Sequence, residues 1–133
     1  MNGRKLLILA AVLALVFLAG FVPQSVRAGK LHRELAQSRQ DLAFSNLTNL
    51  MGRVFLETTN KNYGIALDLA GRFFNQGRAM ANETSSAGIR QALEKALARR
   101  DEITAALARG DAAVYGPIQE IYRVLLDTPS RAL

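Results

Sequence analysis

The chain has 133 residues, a formal charge of +6, three prolines and no cysteine. The missing thiols exclude disulfides, thiolate metal sites and cysteine nucleophiles. The charge excess is thin: residues 24–133 carry 15 basic and 11 acidic side chains, spread along the chain with no nucleic-acid motif, which argues against nucleic-acid binding and for contact with anionic lipid headgroups. Ala, Leu, Arg, Gln and Glu dominate, and these are good helix formers, so the fold expected is all-α.

The first predicted element is Leu6–Val22, seventeen residues without a charge, Asn, Gln, Ser or Thr. As a helix it would be about 25 Å long, close to the ~30 Å hydrocarbon core of a bilayer. It is read as one transmembrane helix, with Leu6, Leu9, Val12, Leu15, Phe17 and Val22 facing lipid. Nothing within it is ionisable, so it offers no proton or ion pathway of its own. Arg4 and Lys5 precede the run, and Val26-Arg27-Ala28 comes after it in the pattern of a secretory signal. The run exceeds the usual length of a cleaved signal, so an uncleaved signal-anchor is expected; cleavage after Ala28 is the alternative. The early cations place the domain beyond the span on the outer, periplasmic face, although Arg27, Lys30, Arg33 and Arg39 pull the other way.

Pro23 is expected to end or kink the span. The chain then divides into residues 1–23 (tail and anchor), 24–50 (a juxtamembrane helical stalk), 51–128 (a three- to four-helix antiparallel bundle) and 129–133 (a frayed tail). In the stalk, Leu31, Leu35 and Leu42 share a narrow stripe, continued at heptad places by Ser38 and by Ser45 or Asn49. The apolar positions are too few for a sustained coiled coil. They suit contact with a neighbouring protein or a weak homodimer.

The pattern thickens at Leu47, Leu50, Met51, Val54 and Phe55 and stops at Asn60-Lys61-Asn62. Tyr63–Ala81 is the clearest amphipathic helix, with apolar residues at three- and four-residue steps. Gly64, Gly71 and Gly77 within it predict close packing against a neighbour. A single helix is expected over Ser86–Arg109, stopped by Gly110. Asp111 can cap the next element, and Pro117 predicts either a kink or a short turn before a last helix closed by Pro129. The Tyr63–Ala81 and Ser86–Arg109 pair resembles tetratricopeptide-type α-hairpin packing over about a third of the chain, without a second copy of the 34-residue repeat.

No residue set promises catalysis. His32 is the lone histidine and has no ligand partner at metal spacing. Asp101 and Glu102 are adjacent on a helix and point about 100° apart. Phosphate loops, dinucleotide fingerprints, HExxH and nucleophile elbows are all absent. The sequence therefore predicts no enzyme, no cofactor and no metal. Tyr63, Leu67, Phe73, Phe74 and Tyr122 are the candidate bundle core or apolar pocket. The expected function is a non-catalytic, single-pass accessory or docking subunit of a membrane-bound assembly (respiratory, photosynthetic or envelope), its partners being lipid and other membrane-protein subunits. The alternatives are a tethered sensor or apolar-ligand carrier, or an exported soluble protein.

Overall fold

The computed structural model describes residues 3–129, with side-chain surroundings for all of these except 18–27. Every regular element among them is helical: α1 (Gly3–Thr59), α2 (Tyr63–Glu83), α3 (Ala87–Ala98), α4 (Arg100–Ala108), a 3₁₀ turn (Ala112–Val114) and α5 (Tyr115–Asp127). The all-α expectation holds. The exit at Val26 and Arg27, the lipid-facing Val22 and the frayed tail at 130–133 lie outside the described residues or side chains.

The chain forms two compact units, residues 1–38 and 39–133. In the first, each side chain described, from residue 3 to 17 and from 28 to 38, is exposed. α1 continues through residue 23, so the helix does not end there as one of the two expectations had it. Proline removes one amide donor from a helix, and here helical residues stand on both sides of it.

The second unit holds the core. Phe44, Leu47, Met51 and Val54 of α1 are buried with Ala66, Leu69, Ala70, Phe73 and Phe74 of α2. Ile89 and Leu93 of α3, Ile103 and Leu107 of α4, Val114, and Ile118, Ile121 and Leu125 of α5 complete it. Phe44 and Leu47, within the range expected to form the stalk, thus lie inside the compact unit. Thr48 and Thr58 are also buried, and each hydroxyl donates to a carbonyl one turn back, Phe44 at 3.0 Å and Val54 at 2.8 Å. That back-bonding lets a polar side chain sit in an apolar core without an unmet donor.

The helix expected over Ser86–Arg109 is broken at Arg99, whose backbone leaves helical geometry (φ −99°, ψ 6°). Two shorter helices result, and α2 packs against both. The Arg99 guanidinium bridges the break, donating to Glu102 at 3.1 Å and to Glu120 of α5 at 2.6 Å. Its hydrogen bonds to Glu102, helped by the charges of Glu102 and Glu120, hold its pKa above the ordinary arginine value against the opposing effect of burial. At the preceding corner, Ser86 caps α3 by accepting from the Ile89 amide at 3.4 Å. Arg90 reaches back to the Ala81 carbonyl at 3.2 Å and to the Thr84 carbonyl, tying the end of α2 to the start of α3.

Glycine packing differs from expectation. A methyl at Gly64 or Gly71 would meet nothing within 4 Å, and at Gly77 it would make ordinary 3.7 Å contact with Leu47 and Leu93. The close approach is instead at Gly52 of α1, where a methyl would lie 3.1 Å from the Tyr122 ring. Pro117 falls in the first turn of α5, where an amide has no helical acceptor, so it costs no hydrogen bond. The short turn before it is capped by Asp111, which accepts from the Ala113 amide at 2.9 Å.

Two helices end in the same motif with different residues. After α4, the Gly110 amide bonds to the Leu107 carbonyl and the Asp111 amide to the Ala106 carbonyl, with Gly110 at φ +66°. After α1, Lys61 and Asn62 bond in the same way to Thr58 and Glu57, with Lys61 at φ +61°. Both are Schellman ends, which favour glycine at the left-handed residue. Gly110→Ala is expected to destabilise the fold by about 1–2 kcal/mol, and Lys61→Gly to stabilise it by up to about 1 kcal/mol, because only residues with a side chain are penalised at positive φ. Urea denaturation midpoints of the two variants, moving in opposite directions, check this.

Candidate functional site

The residues singled out as a possible pocket separate into two groups. Phe73 and Phe74 are 0% and 1% exposed and meet edge to face at 5.3 Å, which makes them core. Tyr63, Leu67 and Tyr122 are half-buried around that core. Tyr63 stands beside Gly110. Tyr122 covers Gly52 and stacks on Phe55 at a centroid distance of 6.0 Å. Tyr115 approaches the same Phe55 at 5.0 Å, giving a small aromatic cluster between α1 and α5 that periodicity alone did not isolate.

Two surface cavities lie elsewhere. One, of about 550 Å³, is a groove between α1 and α2 with Ala43, Leu47, Ala79 and Met80 at its apolar part and Arg39 and Glu83 among its polar residues. The other, of about 280 Å³, lies between α3 and α5 beside Arg99 and Glu120. Neither is lined by Tyr63, Leu67, Phe73, Phe74 or Tyr122. Among the described residues no group of three or more His, Asp or Glu side chains could hold a metal ion, and His32 is exposed.

The apolar surface that needs an explanation is on α1. Of sixteen large hydrophobic residues exposed among those described, thirteen belong to this helix. Nine of them fall between Leu6 and Phe17. That segment has no polar face at all, and a helix apolar all round is found in a protein interior or in a membrane. Among the described residues no helix is long and apolar enough to cross a membrane. The side chains of Leu18–Val22, which complete the seventeen-residue run in the sequence, are outside that description.

Further along α1, the predicted contact stripe is exposed: Leu31 67%, Leu35 49%, Leu42 63%. Leu56, 55% exposed, falls seven residues after the exposed Asn49 and continues the same heptad series, which its spacing alone is enough to find. Asn49 lies about 160° around the helix from the buried Leu47 and Met51, because two residues advance a helix by 200°. The leucine stripe within residues 39–59 is therefore opposite the side that supplies the core.

No protein-family model matches the chain, and no curated protein or solved structure shows significant similarity to it.

Proposed function

We propose that this protein is a non-catalytic, single-span accessory subunit that holds a small helical domain at a membrane surface and docks it onto other subunits of a membrane-bound complex. One observation carries the reading: every large apolar residue described from Leu6 to Phe17 is exposed, in a sequence run that stays free of polar residues to Val22. Leaving that much apolar area in water is unfavourable by about 25 cal/mol per Å², and lipid removes the cost. Arg4 and Lys5 mark the end of the run that stays in the cytoplasm, which puts the helical domain on the outer face. The exposed leucine stripe of α1 supplies the docking surface.

Membranes washed with alkaline carbonate, then extracted with gentle detergent, test this. The chain should remain in the pellet, retain residues 1–28 by intact mass, and migrate in a native gel as a species much heavier than 14.5 kDa. A chain beginning at Gly29 in the wash supernatant, running as a monomer, overturns the proposal.

A further inference from the structure

We infer that, within the proposed assembly, the subunit docked on the α1 leucine stripe is a second copy of this chain, paired in parallel and in register. The inference rests on the membrane reading, because two copies inserted the same way are already parallel and close to one another. Tethering turns a weak contact into a near-intramolecular one and raises its effective concentration.

The register is written in the sequence of α1. Leu35, Leu42 and Asn49 recur at seven-residue intervals, with Leu31, Ser38 and Ser45 at the alternating places. These are the a and d places of a coiled-coil seam, and all six side chains are exposed. The series next reaches Gly52, which Tyr122 of the same chain covers, so the seam ends there. Serine at the d places leaves room for two helices to approach. Asn49 at an a place lowers stability but prefers its own counterpart across a parallel dimer, which sets the register.

Charge selects the same arrangement. The g places hold Glu34, the half-buried Asp41 and the buried Thr48, and the e places hold Arg39, Asn46 and Arg53. In a parallel dimer g faces the e place five residues on in the other copy, so Glu34 of each chain faces Arg39 of its partner. In an antiparallel pair g faces g, bringing the acidic places together. Both Glu34 and Arg39 are exposed and able to make that cross-chain pair.

The chain lacks cysteine, so one introduced thiol reports on the seam. Full-length Leu42→Cys, oxidised mildly in reconstituted bilayers, should give a disulfide-linked dimer, and Arg72→Cys on the exposed side of α2 should not. In the Leu42→Cys background, Glu34→Lys or Arg39→Glu should each lower the dimer constant about tenfold, since two attractive pairs become repulsive. The double reversal should restore it. Equal cross-linking at Leu42→Cys and Arg72→Cys, or no rescue by the double reversal, overturns the inference. Attachment is read separately by the carbonate wash: a pellet-bound chain that does not cross-link sinks the dimer and leaves the anchor standing. A chain that cross-links at Leu42→Cys from the supernatant sinks the anchor and leaves the seam.

Discussion

Phe73→Ala is expected to lower the stability of the helical unit by about 4 kcal/mol, the usual loss for a fully buried phenylalanine. Phe73 is wholly inaccessible, and Phe74 packs edge-on against it. The loss combines the lost burial of the ring with the cavity left in the core beside Phe74. A domain of this size has only about 5–15 kcal/mol of stability in total, so the variant should unfold at a much lower denaturant concentration. Leu126→Ala, on an exposed position of α5, should shift the midpoint by no more than about 0.5 kcal/mol. Circular dichroism during urea titration in mild detergent distinguishes the two. Similar midpoints for both would mean that Phe73 is not part of a packed core.

Under the proposed membrane attachment, Leu13→Lys combined with Val16→Lys should move the protein from the membrane pellet to the soluble fraction. Both residues sit near the middle of the apolar run and are exposed in the structure. A lysine near the centre of a transmembrane helix costs about 2.5–3.5 kcal/mol on insertion scales, so the pair opposes insertion by roughly 5–7 kcal/mol. The helical unit begins at Arg39 and has its own core, so it should keep its circular dichroism while the attachment is lost. The measurement is the share of chain in the carbonate pellet. A double variant that stays there as fully as the parent would rule out lipid burial of this run.

Much of the fold was legible because local chemistry carried it. Tyr63–Ala81 reads as a helix from spacing alone, and α2 covers it with two residues to spare. Gly110 announces the end of α4 because the left-handed residue there tolerates no side chain cheaply. Asp111 and Pro117 mark the start of the last helical segment for equally local reasons, a carboxylate that accepts an amide and a ring that needs none. Lys61 shows the limit of such signals. It takes the same conformation as Gly110 with nothing in its identity to say so, and the polar run around it supplied the boundary instead.

The candidate pocket was legible only as a list of aromatic residues. Phe73 and Phe74 turned out to fill space, while Tyr122 lies over Gly52. Which aromatic side chains meet depends on the approach of α1 to α5, residues far apart in the chain. Gly64 and Gly71 failed as packing signals for the same reason, since the small size of a glycine does not say whether a neighbour comes near.

By itself the sequence determined the helical class, the uninterrupted apolar run, the leucine spacing on α1 and most helix ends, because each arises from hydrogen bonds and periodicity within a few residues. Tertiary structure alone decided that the helix after Ser86 breaks at Arg99, where no glycine or proline stands. Leu93 on one side of the break and Ile103 and Leu107 on the other are all buried in the common core, and the reach of Arg99 to Glu120 depends on where α5 lies. Burial shared among distant segments settles such a choice, and no local propensity encodes it.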